Sequence, residues 1–358
     1  MKSLIDILDL STEELDALIE TAQDIIADPA KYANACAGKK LATLFFEAST
    51  RTRMSFEAAM YELGGHVLSM AGAANSSTSK GESIADTARV ISCYADIIAM
   101  RHPKDGAAYV AAEHARVPVI NAGDGGHCHP TQTLADLLTI YREKGRFHGL
   151  TVGFCGDLKY GRTVHSLIGA LSRYTDIRFV LISPEELRIP DYLRTDVIEK
   201  KGFSYTETAS LEDVIGDLDI LYMTRIQRER FEDMEQYERL KDSYILTEEK
   251  LRAAKEDCCV MHPLPRVNEI SVKIDDDPRA CYFKQVENGK YMRMALILKL
   301  LEDAKTAPGR NIIPTGTEEP ACTCPNGRCI SHSEQELPHR VTVSDGVRRC
   351  LYCETALN

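Results

Sequence analysis

Apolar runs of strand length recur through the first three hundred residues, and helical stretches separate most of them. The runs are "KKLATLFF", "HVLSM", "ADIIAM", "VPVINAG", "LTVGFCG", "IRFVLIS", "LDILYMT" and "CCVMHPLP". A strand buried on both faces reads as a continuous apolar run, and strands that alternate with helices pair in parallel. The chain is therefore expected to be α/β, with two doubly wound parallel-sheet domains. One long helix, "HPTQTLADLLTIYREKGRF", joins them, and a second strand–loop–helix series starts at about residue 150. Near the N-terminus, Ser11 and Glu14 form a capping box, and Leu15, Leu18, Ile19, Ala22 and Ile26 then line one helix face. "YMRMALILKLLEDAK" reads as a last amphipathic helix, and "TAPGRNIIPTGTEEPA" as a linker.

The 358 residues are 44% apolar, yet no apolar run reaches the ~18 residues that span a bilayer. "MKSLIDILDLSTEEL" lacks the apolar core of a signal peptide, so the expectation is a cytoplasmic protein without membrane contact. In a reducing compartment, clustered cysteines favour metal over disulfides. A net charge of -11 argues against nucleic acid as a partner. Anionic small molecules would need local cationic pockets.

Such pockets are written at strand ends. Ser49, Thr50, Arg51 and Thr52 follow "LFFEA" at a strand-to-helix junction, where free N–H groups and the positive helix end favour phosphate. Arg101 ends "ADIIAM", and "NAGDGGHCHPTQ" presents His129 and Gln132 at the head of the long helix. A neutral imidazole there could polarise a carbonyl. Cys128, between His127 and His129, reads as a turn residue. Arg162 follows "GDLKYG", and "MTRIQRER" puts Arg225 and Gln227 on one side by the period of two. "MHPLPR" closes another strand. Ligands of open α/β sheets sit beyond the carboxyl ends of strands, and arginine forks match carboxylates. The set suits a small dicarboxylate facing a phosphate-bearing co-substrate. "GFCGD" lacks G-x-G-x-x-G, which argues against a nicotinamide dinucleotide site. Lys80, in "AANSSTSKGES", reads by itself as a surface lysine.

Residues 1–305 resemble the catalytic chains of the aspartate carbamoyltransferases. "FFEASTRTRMSFE", "KGES", "MRHP", "NAGDGGHCHPTQTLAD", "GDLKYGRTVHSL", "DILYMTRIQRER" and "MHPLPRVNEI" carry the resemblance, in order. It implies the carbamoyltransferase fold, with residues 1–132 binding carbamoyl phosphate, 133–288 binding aspartate, and a helix at 289–305 returning to the first domain. It implies that Ser49, Thr50, Arg51 and Thr52 bind the phosphate. Thr52, Arg101 and His129 contact the carbonyl oxygen, and Gln132 the carbamoyl nitrogen. Arg162, Arg225 and Gln227 bind aspartate, and the backbone at Pro263 and Leu264 shapes the site. Lys80 and either Ser76 or Ser77 reach a neighbouring subunit's site, which implies a homotrimer, with higher assembly open. The chemistry requires no cofactor. Ornithine-using relatives differ at the amino-acid site, where "MTRIQRER" and "MHPLPR" favour aspartate. A transferase for another amino acid, or an inactive scaffold on the same fold, are the alternatives.

Five of the twelve cysteines fall within residues 322–358. Four residues lie between Cys324 and Cys329 and two between Cys350 and Cys353, with about twenty between the pairs. This spacing fits a structural Zn2+ held by four thiolates, with Cys324 preferred over Cys322. Residues 322–358 hold as many basic as acidic residues, which argues against a phosphate binder. "CPNGRCISHSE" and "CLYCE" resemble the zinc domain of the separate regulatory chain of these transferases. Only residues 306–321 separate it from the transferase, too few for the regulatory nucleotide-binding domain. The expectation is a fused zinc domain at 322–358 that packs on its own or a neighbouring subunit.

Overall fold

Burial sorts the strands of the computed structural model as the apolar runs predict. The structure describes residues 3–72, 77–226, 233–306, 311, 313–344 and 346–357. Strands β1 (Lys40–Phe45), β2 (His66–Ala71), β3 (Ile97–His102) and β4 (Val119–Asp124) form a parallel sheet in the order β2-β1-β3-β4. β4 is buried throughout, whereas β2, at the edge, is half exposed. Helix α1 (Thr12–Ala27) starts at the Ser11–Glu14 capping box. Its buried stripe takes in Ile25, and Ile26 is only partly covered. α2 (Thr50–Glu62) ends before Gly64, whose φ of 78° suits the left-handed stop of a helix. α3 (Ile84–Ile91) and α4 (Ala107–His114) follow β2 and β3.

α5 (Pro130–Lys144) carries the chain into a second unit, Gln132–Gly289. There β5 (Leu150–Cys155), β6 (Ile177–Ile182), β7 (Ser204–Thr208), β8 (Ile220–Met223) and β9 (Cys259–Met261) run parallel in the order β7-β6-β5-β8-β9. α6 (Arg162–Leu171) follows β5, and α7 (Met234–Leu240) and the single-turn α8 (Glu248–Leu251) lie between β8 and β9. β7 was not among the sequence runs, because "SYTET" is a polar edge strand without an apolar run. α9 (Tyr282–Thr306) begins nine residues before the stretch that its apolar pattern marks.

The first unit comprises Met1–Thr131 and Lys290–Asn358, so the cysteine-rich segment belongs to it. Within the segment read as a linker, Thr317–Glu318 form β10, which pairs with β11 (Arg340–Ser344), and β12 (Val347–Cys350) completes an antiparallel sheet. Ile330, Leu351, Tyr352 and the four spaced cysteines share one apolar core with Ala107–Ala112 of α4. Tyr109 and Tyr352 meet edge to face, 5.6 Å between ring centres. Tyr109 also donates a hydrogen bond to the Pro314 carbonyl, and Arg340 pairs with Glu113. The fused segment therefore packs on its own chain, which answers one half of the sequence expectation.

Candidate active site and metal centre

In both sheets the strand order reverses next to the first strand, between β1 and β3 and between β5 and β8. Loops leaving two such neighbours open a crevice at the carboxyl ends. In the first unit that end carries Ser49–Thr52, at the start of α2, and Arg101, next to last in β3. Ser49 stands at the N-cap of α2 in an extended conformation and makes no side-chain cap hydrogen bond. Its hydroxyl does not serve the helix, which leaves the first-turn N–H groups for an outside acceptor. Thr52 is buried, and Thr50 and Arg51 are exposed.

Arg101 sits where β3 ends, its side chain 13% exposed. Its Nη1 lies 3.5 Å from His129 Nε2, and its Nε lies 3.5 Å from Glu47 Oε2. Burial holds the guanidinium below its usual pKa; Glu47 opposes the shift, and the Arg51 charge adds to it. A buried cation beside a second cation is arranged for an anion. His129 is 5% exposed and immediately precedes α5. The structure thus brings Arg101 and His129 together. Ser77 and Lys80 lie exposed on a short 3-10 turn, Ser77–Lys80, and Ser76 lies outside the described residues.

The turn between β4 and His129 is built on Asp124, which is 1% exposed. Its carboxylate accepts from Asn121 Nδ2 (2.9 Å), the Gly106 N–H (2.8 Å) and the Cys128 N–H (3.2 Å), and it lies 3.1 Å from His127 Nδ1. Burial pushes Asp124 up, but the His127 charge and these hydrogen bonds outweigh it and hold the carboxyl below its usual range. Cys128 is buried in the turn, its Sγ 3.2 Å from the Ile5 carbonyl, and burial keeps the thiol protonated.

In the second unit, Gln132 donates to Asp136 Oδ1 (2.8 Å), and Asp136 also accepts from Tyr222 (3.0 Å) and Gln285 (2.5 Å). Arg162 is the first residue of α6, and Arg225 lies just beyond β8; both are half-buried. Their strands are neighbours, with Cys155 opposite Met223. Thr224 fastens the two loops: its Oγ1 accepts the Asp157 N–H at 2.9 Å, and its N–H donates to the Cys155 carbonyl at 2.8 Å. Gly156, at φ 120°, leaves no room for a Cβ against the Thr224 carbonyl. Pro263 and Leu264 follow β9, beside β8. Leu264 holds φ 53°, unusual for a side chain of its size, and donates its N–H to His262 Nδ1 at 2.7 Å. Gln227 lies outside the described residues.

Sequence reasoning passed over Glu47, Asp136, His262 with Glu269, and His127 with Glu354. Each acts on a site residue or loop rather than carrying a motif of its own. The histidine inside "MHPLPR" and the glutamate after "CLYC" were the available signals.

Cys324, Cys329, Cys350 and Cys353 are buried, and their four sulfurs lie within 4.8 Å of one another. Cys324 and Cys353 sulfurs are 3.5 Å apart, and Cys329 and Cys350 sulfurs 3.8 Å. These spacings are far beyond a ~2.05 Å disulfide. They match the ~3.8 Å edge of a tetrahedron with ~2.3 Å metal–sulfur bonds. Ser331 Oγ lies 3.2 Å from the Cys329 sulfur, and His332 Nε2 2.9 Å from the Cys324 carbonyl, a supporting outer shell. Cys322 is half-buried and outside the quartet. No helix among the described residues is long and apolar enough to cross a membrane.

Residues 2–142 match the family described as aspartate/ornithine carbamoyltransferase, carbamoyl-P binding domain, and residues 148–300 match its Asp/Orn binding domain. Residues 320–358 match the metal binding domain of the aspartate carbamoyltransferase regulatory chain. The aspartate carbamoyltransferase catalytic subunit of Lachnoclostridium phytofermentans is 63% identical over 301 residues, which is 84% of this chain and 98% of that protein. Its counterpart in Clostridium novyi is 61% identical over 300 residues, again 84% of this chain and 98% of that protein. Among solved structures, the catalytic subunit of M. jannaschii aspartate transcarbamoylase superposes with a TM-score of 0.80 at 48% identity, covering 86% of this chain and all of that one. The Trypanosoma cruzi enzyme in complex with N-(phosphonacetyl)-L-aspartic acid gives 0.78 at 41% identity, over 84% of this chain and 95% of that one.

Proposed function

This chain belongs to the aspartate/ornithine carbamoyltransferase family, and we propose that it carries the carbamoyl group of carbamoyl phosphate to the amine of L-aspartate. The observation that carries the reading is the pairing of half-buried Arg101 with buried His129 beside an uncapped helix N-terminus. The deprotonated amine attacks the carbonyl carbon, and negative charge collects on the carbonyl oxygen. Phosphate then departs with the C–O electron pair, and the new amide nitrogen loses a proton. Thr52, Arg101 and His129 donate to the developing oxyanion. Ser49, Thr50, Arg51 and the first-turn N–H groups of α2 hold the departing phosphate. Gln132, oriented by Asp136, takes the carbamoyl nitrogen. Arg162, Arg225 and Gln227 pair with the two carboxylates of aspartate, and the Pro263–Leu264 backbone shapes the site. Lys80 and Ser77 act in the site of a neighbouring copy, which makes a homotrimer the working unit of a cytoplasmic enzyme of pyrimidine synthesis.

The four cysteines hold a structural Zn2+, for which their spacing and outer shell fit. When bound, the ion ties the two cysteine pairs into one folded module. Residues 320–358 match only the metal binding domain of the regulatory chain, so no direct ATP or CTP response is expected, and CTP inhibition that does not compete with carbamoyl phosphate would contradict this.

The test is product formation from carbamoyl phosphate with aspartate and, separately, with ornithine. Carbamoyl-aspartate without citrulline is the expected result. Citrulline would move the assignment to the ornithine branch, and no turnover of either would leave an inactive scaffold.

A further inference from the structure

The loops that deliver Arg101 and His129 are also the loops that the metal module grips. Asp105, four residues beyond Arg101, is 3% exposed. Its N–H donates to the Arg328 carbonyl (3.1 Å), and its carbonyl accepts from the Ile330 N–H (2.9 Å), so it pairs strand-like with the residues around Cys329. Its side chain accepts from Asn326 Nδ2 at 2.8 Å and from the Gly126 N–H at 2.7 Å. Gly126 belongs to the turn that ends in His129. The second grip comes from Glu354, which directly follows Cys353. Its Oε2 lies 3.4 Å from His127 Nε2, while His127 Nδ1 faces Asp124 at 3.1 Å. One imidazole, two residues before His129, is thus held between a carboxylate of the module and the carboxylate on which the turn is built. Glu354 has a φ of 58°. A side chain rarely adopts that left-handed region unless the surrounding structure holds it there.

We propose that Glu354 is a positioning residue for His129: acting through His127, it fixes the 124–129 turn, so that the assembled metal module sets the transferase geometry of the chain to which it is fused. The inference rests on the reading of His129 as a donor to the carbonyl oxygen. Misplacing such a donor by about 1 Å costs up to ~100-fold in rate. A brace on the turn should therefore appear in kcat rather than in substrate affinity.

The experiment uses the full-length, metal-loaded protein and the variants Glu354→Ala, Glu354→Gln, His127→Asn and His129→Ala. It measures kcat, the KM of each substrate, metal per chain and melting temperature. Glu354→Ala is expected to keep its metal and its melting temperature while kcat falls about tenfold, with each KM within about twofold. Glu354→Gln keeps the side chain's length but removes the charge of the 3.4 Å ion pair with His127, and should recover only part of the rate. The Glu354→Ala/His127→Asn double variant should be no slower than the slower single variant, since both remove one brace. An unchanged kcat in Glu354→Ala, with His129→Ala inactive, would overturn the inference and leave the site assignment standing. A fully active His129→Ala would sink the site assignment and the inference with it. Loss of metal from Glu354→Ala would make the residue part of the module's own structure and also overturn the inference.

Discussion

His262 accepts the Leu264 N–H on Nδ1, so its proton sits on Nε2 and is donated to Glu269 Oε1 at 2.8 Å. The other Glu269 oxygen takes the Val267 and Asn268 N–H groups at 2.9 and 3.0 Å. One buried carboxylate thereby sets the imidazole and the backbone on both sides of the Pro263–Leu264 corner. Burial pushes the Glu269 carboxyl up, but the His262 hydrogen bond and the N–H donors outweigh it and hold it below 4.5. A depressed folded value means stability that is present above the unfolded pKa and lost as pH falls through the folded one. Glu269→Gln should therefore cost about 1–3 kcal/mol at pH 7. The deficit should shrink as pH falls from the unfolded glutamate range, ~4.3, through the lower folded value, where the parent loses the same charge. Urea unfolding of both proteins at pH 7 and pH 4 checks this, and a deficit that grows on acidification would refute it.

At the level of elements, the sequence marked every strand whose partners bury both faces, because such strands read as unbroken apolar runs. It marked Arg101 and the Ser49–Thr52 junction for the same reason: each sits where such a run ends. β7 escaped because a polar edge strand has no run, and α4 because it has no stripe. Ala107 to Ala112 are all buried, since α3, β3 and β4 pack against the helix and the metal module, over two hundred residues onward, covers it as well. A helix covered from two directions loses the amphipathic signal by which a surface helix is read. Gly106, the N-cap of α4, shows how close the fit is. It holds φ 87°, and a Cβ there would come within 2.5 Å of the Tyr352 carbonyl oxygen. Gly106→Ala should add the ~1–2 kcal/mol of a left-handed side chain to that clash. The module should then loosen from α4 while its cysteines keep their metal. Faster proteolysis within residues 306–321 at unchanged metal content is the expected result; cleavage at the parental rate would show that the contact yields without effect.

For the whole molecule, the shared core decides what metal removal does. In many fused domains each part buries its own apolar face. Here Ile330, Leu351 and Tyr352 are buried in one cluster with the α4 side chains. Each is worth ~1.5–3 kcal/mol when withdrawn from water. On the proposal of a structural zinc, the ion should supply most of the stability of so small a module, since structural zinc contributes ~10–16 kcal/mol to folding in isolated zinc-finger peptides. Stripping the metal should therefore unfold the module and uncover Tyr109, Val110 and their neighbours, a loss that the first unit feels directly. The second unit has a core of its own, around Cys155, Val180, Leu221 and Val260, and should not respond. Hydrogen exchange read by mass spectrometry tests this division. After chelation, amide protection should fall across residues 84–129 and 313–357, hold across 150–223, and return when zinc is restored. A chain lacking residues 306–358 should show the same loss over 84–129 without any chelator. Unchanged protection of α4 in both cases would mean that the transferase unit is complete without its metal module, and that the fusion serves assembly alone.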